Sequence, residues 1–304
     1  MKTPPSRLKA VLLAFFVTTV WATSWIFIKI GLRDIPGLTF AGLRYSLATL
    51  FLLPFLLQKS VRSELRSLSR SSWIMLVVLG VVLYALAQGG QFLGLSYLPS
   101  VTVGLVLNMN SLFVAFVSYA AIRERPTWVQ WLGVVLNIVG VLIYFSPFGG
   151  FEGNILGWVF AALSLAANVV GTVLGRHANK GGRISPIITT TVSMGIGAVI
   201  MLGVGVAWQG LPPLSLQSIG IIVLLASVNT ALCFTLWNYT QQTLVATESA
   251  IINNTMLVQI AILAWIFLGE KQTTNQIIGL VLVTLGAVII QLRINKSGRV
   301  GKSG

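Results

Sequence analysis

The sequence predicts an all-α integral membrane protein whose ten transmembrane helices form two inverted five-helix repeats. Three observations lead to this fold class: the composition, the number of long apolar stretches, and a pattern that recurs near the end of each half of the chain. Of the 304 residues, 56% are hydrophobic and only 9% are charged, and the mean hydropathy is +0.89. So apolar a composition excludes a soluble protein, and the short connections between the apolar stretches leave no room for a soluble domain.

Ten stretches are suited to cross a bilayer, because about 20 mostly apolar residues span its hydrocarbon core. Backbone in lipid must satisfy its own hydrogen bonds, so we expect each stretch to be a helix. In chain order they are Leu8–Ile30, Pro36–Leu57, Ser71–Leu95, Pro99–Ile122, Thr127–Ser146, Asn154–Gly175, Ile184–Trp208, Leu214–Tyr239, Thr243–Leu268 and Gln272–Leu292. The first follows basic residues, as in a signal peptide, but its length and the lack of a clear small-x-small cleavage site favour an uncleaved helix.

An acid and two glycines recur at one offset in the two halves. Glu124 and Glu270, Gly133 and Gly279, and Gly140 and Gly286 are each separated by 146 positions. Five spans per half is an odd number, so equivalent helices must run in opposite directions, and such inverted repeats usually place a substrate site between the halves. We therefore expect a first repeat in residues 1–148, a second in residues 149–293, and a basic cytoplasmic tail in residues 294–304.

The net charge of +14 needs no nucleic-acid partner, because the basic residues cluster in alternate connections. If the N-terminus is cytoplasmic, sixteen of the twenty lie in cytoplasmic segments, and only Lys29, Arg33 and Lys271 lie outside. Arg44, the twentieth, falls within a span. This is the positive-inside pattern. It predicts that both termini are cytoplasmic. We also expect a multi-pass protein of the bacterial inner membrane, surrounded by lipid, as a monomer or a homodimer.

The sequence indicates neither a cofactor nor a catalytic centre. A single cysteine, Cys233, excludes a disulfide framework, and a single histidine, His177, argues against a histidine zinc site. The chain contains no Ser–His–Asp, HExxH or paired-carboxylate arrangement. An intramembrane enzyme, the alternative from a different functional class, therefore lacks a nucleophile–base pair or a metal-ligand set, and we expect no enzyme, cofactor or metal.

The ten stretches, the two five-helix halves and the acid followed by Gly-x6-Gly in each half resemble the EamA family of the drug/metabolite transporter superfamily. Gly269–Glu270 matches the helix-ending motif of the family, whereas the first half has Arg123–Glu124. Trp21 with Ala22, and Arg44 with Ala48, also match. The resemblance covers nearly the whole chain.

This resemblance implies a secondary transporter that exports small amphipathic metabolites by alternating access around a central cavity. Within the family the aromatic-rich interior is closest to exporters of aromatic and other neutral amino acids, which would be the small-molecule partners, with protons as a candidate coupling ion. A nucleotide-sugar or phosphate antiporter is the nearest alternative, although it should need more buried Lys or Arg than one arginine. A drug exporter of the same superfamily is a further alternative.

Polar and aromatic side chains at mid-depth in the spans are the candidate substrate ligands. A polar group in the bilayer costs free energy unless it is paired or faces water, so several together indicate a wet central cavity. The expected substrate-binding residues are Trp21, Trp25, Tyr84, Gln88, Asn108, Asn168, Asn229, Glu248 and Asn254. Structural alternatives are core packing for the two tryptophans, which share a helix face, and interhelical hydrogen bonds of about 0.6 kcal/mol for the amides.

Apart from Lys9 and Lys29 at the two ends of the first span, only two charged residues lie within the predicted spans. Arg44 lies about two turns into the second span, where it is either a snorkelling or helix-anchoring residue or a cation that attracts a substrate carboxylate or phosphate. Glu248 lies near the cytoplasmic start of the ninth span and shares a helix face with Thr255 and Gln259. It either stabilises the start of the helix, or binds a substrate ammonium group or a coupling proton.

Overall fold

The computed structural model describes residues 5–110, 112–113, 127–145, 154–179, 184–240, 243–244 and 246–291. In these ranges the regular structure is helical, without a strand. We number the helices α1 (Arg7–Gly31), α2 (Gly37–Leu56), α3 (Lys59–Ser67), α4 (Arg70–Tyr97), α5 (Ser100–Asn108), α6 (Trp128–Tyr144), α7 (Ile155–Asn179), α8 (Pro186–Gln209), α9 (Leu216–Leu232 and Cys233–Thr240), α10 (Ala246–Asn254 and Met256–Leu268) and α11 (Thr274–Gln291).

Helix length and hydropathy support the predicted membrane class. Among the described residues, six helices are long and apolar enough to cross a bilayer: α1, α2, α4, the Ile155–Leu174 part of α7, α8 and the Ile251–Leu268 part of α10. Shorter apolar helices are α6, α11 and the Leu216–Leu232 part of α9. The count of ten spans stays a prediction, because the predicted fourth span, Pro99–Ile122, extends beyond the described residues. The inverted repeat and the three domain boundaries also stay predictions.

Helix α3 is a short helix within what the sequence analysis treats as a connection. Its apolar residues Val61 and Leu65 pack against the buried Leu76 and Ile188 of α4 and α8. The carboxylate of Glu64 on the same helix accepts a hydrogen bond of 2.6 Å from the backbone N–H of Ser185, just before α8. The amphipathic α3 therefore ties α4 and α8 together at one end of the bundle.

The helix termini form two ends of the bundle, which we name by one residue each. The Glu270 end holds the end of α1, the starts of α2 and α5, and the connection between α10 and α11, since these segments are hydrogen-bonded there. The Arg7 end holds the start of α1, helix α3 and the start of α10, where Arg7 forms an ion pair with Glu248. Successive long helices run from one end to the other.

Helices α6 and α11 cross in close contact through the repeated glycines. A Cβ atom added to Gly133 would lie 2.8 Å from the carbonyl oxygen of Gly286, and one added to Gly140 would lie 2.8 Å from that of Gly279. Real Cβ atoms do not approach a carbonyl oxygen so closely, so only glycine permits this separation of the two backbones. The glycines chosen from the sequence are thus helix-packing residues.

Interior and exterior surfaces differ as expected for a bundle in lipid. The largest core includes Trp25, Phe40 and Phe92, and the rings of the two phenylalanines pack edge-on with centroids 5.3 Å apart. Large apolar side chains such as Leu142 and Trp265 cover the outer faces of the helices. Exposing so much apolar surface to water would cost free energy, so these faces are suited to contact with lipid acyl chains.

Candidate functional site

Trp21 and Asn229 lie together where α1 meets α9. The indole Nε1–H of Trp21 donates a hydrogen bond of 2.8 Å to the backbone carbonyl of Asn229, and the amide of Asn229 donates one of 2.6 Å to the carbonyl of Val20. The ring of Trp21 also packs against that of Trp237, with centroids 5.2 Å apart. Trp21 is half-buried, whereas Asn229 is almost fully buried. Two of the expected ligands therefore meet in one reciprocal contact, and Trp237 is an aromatic neighbour that the sequence analysis does not single out.

Tyr84 and Gln88 meet at Tyr45 where α4 packs against α2. The Tyr45 hydroxyl donates a hydrogen bond of 2.8 Å to Oε1 of Gln88, and the rings of Tyr45 and Tyr84 lie edge-on with centroids 5.8 Å apart. Next to Tyr45, the guanidinium carbon of Arg44 lies 5.1 Å from the Tyr45 ring centroid and 5.9 Å from that of Phe92. Sequence reasoning misses Tyr45, although its position beside Arg44 offers a signal.

Both contact regions include a π-helical segment, Gly80–Gln88 in α4 and Leu225–Leu232 in α9. Wider turns of this kind are rare and occur often at functional sites. In each segment a backbone carbonyl accepts a side-chain hydrogen bond from a neighbouring helix: Asn229 from Trp21, and Ala87 from the Ser164 hydroxyl of α7 at 2.6 Å. The predicted ligands Tyr84, Gln88 and Asn229 all lie in these segments.

Asn168 and Trp25 have contacts that favour a structural role. The amide of Asn168 donates a hydrogen bond of 2.9 Å to the carbonyl of Ser164 in its own helix. Trp25 is buried in the main core, and a Cβ atom on Gly104 would lie 3.8 Å from its ring. Their predicted role as ligands stays a prediction, as for the whole set.

Asn108 and Asn254 each lie at the end of a helical segment, in α5 and in α10. Asn108 is half-buried at the end of α5, just before the described part of the chain is interrupted. Asn254 is buried at the break between the two segments of α10, and its side-chain nitrogen has no hydrogen-bond partner within the described ranges. A break in α10 beside an unsatisfied amide leaves room for a further polar contact at this position.

Glu248 is half-buried in the first turn of α10 and pairs with the exposed Arg7 of α1. The neighbouring polar groups on its helix face bond to one another, since Nε2 of Gln259 donates to the hydroxyl oxygen of Thr255 at 3.1 Å. The same nitrogen lies 3.5 Å from the Thr18 hydroxyl. In this structure the carboxylate of Glu248 therefore joins α1 to α10 at the Arg7 end.

Glu270, which marks the repeat in the sequence, binds the start of α5 at the opposite end. Its two carboxylate oxygens accept hydrogen bonds from the backbone N–H groups of Ser100 at 3.0 Å and of Val101 at 3.4 Å. Nearby, Nζ of Lys29 donates to the carbonyls of Leu95 and Leu98 at 2.6 and 2.7 Å, at the end of α4. The helix dipole stabilises an anion at the start of a helix and a cation at its end. The pair therefore holds the α4–α5 connection.

Residues suited to a metal site do not converge anywhere in the part of the chain that the structure describes, where no group of three His, Cys, Asp or Glu side chains is close enough to share an ion. The polar groups brought together in the interior are instead indoles, phenols, amides and backbone carbonyls. Such groups bind small organic molecules by stacking and hydrogen bonding.

Comparison with known proteins gives curated relatives over nearly the full chain. The chain is 27% identical over 296 residues to the S-adenosylmethionine/S-adenosylhomocysteine transporter of Chlamydia trachomatis serovar L2, covering 92% of this chain and 88% of that protein. It is 25% identical to YvbV of Bacillus subtilis, named an uncharacterized transporter, covering 96% of this chain and 94% of that one. This chain is also 26% identical to a transporter of Archaeoglobus fulgidus, likewise named uncharacterized, and the match covers 93% of this chain and 98% of that protein.

A solved crystal structure has the same fold. It is superimposed with a TM-score of 0.66 over 93% of this chain and 96% of its own, at 18% sequence identity. The EamA-like transporter family matches the sequence twice, over residues 8–146 and over residues 155–292. The resemblance inferred from the sequence is thereby confirmed at the level of the family: the chain is a multi-pass membrane protein that belongs to the EamA-like transporter family.

Proposed function

We propose that this protein is a secondary transporter that exports amphipathic metabolites of the amino-acid type across the bacterial inner membrane by alternating access between its two halves. The observation that carries the proposal is the pair of π-helical segments, one in each predicted repeat, with aromatic and amide side chains at both. Trp21 and Tyr84 are half-buried there. A small molecule can therefore reach part of each ring.

The chemistry of these residues favours a zwitterion with an apolar or aromatic side chain. Indole and phenol rings bind flat apolar groups, and amides and carbonyls bind the polar ends of a small ligand. Within the described spans Arg44 is the one fully buried charged side chain. So few interior charges favour a substrate without net charge, and aromatic and other neutral amino acids have this character.

A second candidate substrate is S-adenosylmethionine or S-adenosylhomocysteine, because relatives in Chlamydia carry that name at up to 27% identity. These molecules also combine a flat ring system with an amino-acid group. The same aromatic and polar residues would suit S-adenosylhomocysteine, which has no net charge, whereas S-adenosylmethionine adds the positive charge of its sulfonium.

We also propose the orientation that the charge pattern predicts, with the Arg7 end and both termini in the cytoplasm. The described Arg7 end carries the basic residues of α3 and the start of α4, whereas the Glu270 end carries few. Export then requires the contacts at the Glu270 end to open toward the periplasm, and proton coupling remains one candidate source of energy.

Counterflow in proteoliposomes tests the function. Vesicles loaded with unlabelled phenylalanine, tryptophan or S-adenosylhomocysteine are diluted into the same labelled compound, and vesicles without protein give the background. We expect labelled compound to accumulate transiently for the aromatic amino acids. Accumulation of S-adenosylhomocysteine alone would select the second candidate. Background rates for every zwitterion tested would refute an amino-acid-type substrate.

A further inference from the structure

Arg44 is a buried cation for which the described structure contains no acidic partner. The residue is 7% exposed and lies seven positions after Gly37 in α2, roughly 10 Å along the axis at about 1.5 Å per residue. Its Nε has no hydrogen-bond partner among the residues that the structure describes. It is too enclosed to snorkel freely to an interface, which removes one of the structural interpretations of this arginine.

The acids that could neutralise it bind elsewhere. Of the six acidic residues in the sequence, Glu64 binds the N–H of Ser185, Glu248 pairs with Arg7, and Glu270 binds the start of α5. Asp34 is exposed in the turn between α1 and α2. The remaining two, Glu124 and Glu152, lie outside the described residues. Within the described chain, the positive charge of Arg44 is therefore not offset by a carboxylate.

The aromatic contacts compensate this charge only in part. Desolvating an ion in a protein costs more free energy than a desolvated cation–π contact returns. The guanidinium carbon of Arg44 lies over the rings of Tyr45 and Phe92. A ring accepts no conventional hydrogen bond from the guanidinium, whose N–H groups can bind a planar anion through two parallel hydrogen bonds.

The size of the local charge suggests which anion fits. Lys29 on α1 is not available as a second cation, because its ammonium group already donates to the carbonyls of Leu95 and Leu98. A single guanidinium balances one negative charge. A carboxylate therefore matches it, whereas a phosphate dianion would bring an uncompensated charge into the bundle.

We propose that Arg44 binds the carboxylate of the transported substrate, with Tyr45 and Phe92 holding the guanidinium in place. This inference rests on the proposed function and adds to it a specificity-determining residue and a required substrate group. The substrate must carry a free carboxylate, and an otherwise identical amide should bind weakly. The substrate's anion supplies the partner that the described chain does not provide.

Binding of phenylalanine, phenylalaninamide and phenyl phosphate to purified protein tests the proposal. For the wild type we expect phenylalanine to bind at least about tenfold more tightly than the amide. Arg44→Gln should reduce this preference to below about threefold and leave the affinity for the amide nearly unchanged, and Arg44→Lys should retain part of the preference. The matched control is Arg33→Gln, which removes an exposed arginine and should bind as the wild type does.

The outcomes separate the two proposals. If the wild type transports phenylalanine and Arg44→Gln still prefers it tenfold over the amide, the role of Arg44 is refuted while the proposed function stands. Tighter binding of phenyl phosphate than of phenylalanine also refutes it. If only S-adenosylhomocysteine is transported, the same comparison is made with that compound and its amide. If the wild type transports no zwitterion, both proposals fail.

A second measurement on the wild type covers the case in which the variants do not fold. Phenylglyoxal modifies arginine side chains, and mass spectrometry of the digested protein reports the modified fraction of Arg44. We expect phenylalanine, but not phenylalaninamide, to protect Arg44 severalfold, while Arg33 reacts equally in both. Equal modification of Arg44 with the acid and with the amide would contradict a carboxylate contact.

Discussion

The side-chain amide of Asn137 donates a hydrogen bond of 3.2 Å to the backbone carbonyl of Val283, and 146 positions separate the two residues. This is the offset of the repeated acids and glycines. The glycines cross-pair around this contact, Gly133 with Gly286 and Gly140 with Gly279. Such reciprocal pairing is what a local two-fold axis through the Asn137–Val283 contact would produce. The inverted repeat that we predict from the sequence would place these residues in this way, and it stays a prediction.

Gly140→Ala should destabilise the protein, because α6 and α11 cannot separate at their crossing without losing their packing. The added Cβ would lie 2.6 Å from the backbone nitrogen of Val283 and 2.8 Å from the Gly279 carbonyl oxygen. Forcing extra volume into close packing costs about 1–3 kcal/mol. Thermal unfolding in detergent should show a lower midpoint.

The matched control is Gly203→Ala in α8. A Cβ atom at this helical glycine meets no other atom within 4 Å, and replacing an open helical glycine with alanine favours the helix by about 1 kcal/mol. We expect its unfolding midpoint to equal or exceed that of the wild type. A Gly140→Ala protein as stable as Gly203→Ala would contradict the close crossing.

Trp21→Ala should reduce transport of substrates with large apolar side chains at least about tenfold, because it removes a ring that packs on Trp237 and a donor to the Asn229 carbonyl. Stacking on one ring contributes about 0.5–1.5 kcal/mol beyond area burial. Uptake rates in proteoliposomes at equal reconstituted protein measure the effect. Trp265→Ala, which removes an outward-facing tryptophan, should leave transport unchanged. Equal rates in the two variants would assign Trp21 to packing.

Glu270→Gln should destabilise the closed Glu270 end, because a neutral amide replaces the carboxylate that accepts from Ser100 and Val101. A charged group at a helix start is worth about 0.3–2 kcal/mol. We expect a lower unfolding midpoint and faster labelling of a cysteine placed at Leu98, which is buried just after the end of α4. Asp34→Asn, which neutralises an exposed acid in a turn, is the control. If Glu270→Gln and Asp34→Asn label at the same rate, Glu270 does not hold this end closed.

The parts of this structure that sequence could predict are those with a regular signal. Apolar stretches predict the membrane helices, and the acid and glycines at one offset predict a repeat, but the sequence does not indicate that α6 and α11 cross each other. The contact between Trp21 and Asn229 links residues 208 positions apart, and no local periodicity reports which helices will be neighbours. Tyr45 was missed because an isolated tyrosine in a span is equally compatible with packing. The role of α3 was hidden because a polar helix of nine residues resembles a connection.

Cysteine labelling tests the proposed orientation. The background is Cys233→Ser, which removes the single cysteine of the chain, and reporters are placed at the exposed positions Leu211 and Ser60. Leu211 follows α8 near the Glu270 end, and Ser60 lies in α3 at the Arg7 end. An impermeant maleimide added to spheroplasts should label Leu211→Cys and spare Ser60→Cys until the membrane is permeabilised. The reverse pattern would invert the predicted topology and with it the assignment of the periplasmic end.

Glu248→Gln and Arg7→Gln together decide what the carboxylate of Glu248 does. The Arg7 side chain is 78% exposed and that of Glu248 is 29% exposed, and a solvent-exposed ion pair contributes only about 0–1 kcal/mol. If Glu248 serves only to pair with Arg7, the two variants lose the same contact and should show equal, small changes in stability and transport. If Glu248 carries a coupling proton, Glu248→Gln should abolish pH-driven uptake and retain substrate exchange. Arg7→Gln, which leaves the carboxylate in place, should retain both.

If instead Glu248 binds a substrate ammonium group, Glu248→Gln should weaken both uptake and exchange, and Arg7→Gln should strengthen binding because it frees the carboxylate from a competing cation. Uptake driven by a pH gradient and exchange without one, measured for both variants, separate the three roles. Normal uptake and exchange in Glu248→Gln would remove Glu248 from the substrate-binding set. In that case no acidic side chain of the described helices would be assigned to proton coupling. The concentration gradient of the substrate, rather than a proton gradient, would then be the expected source of energy.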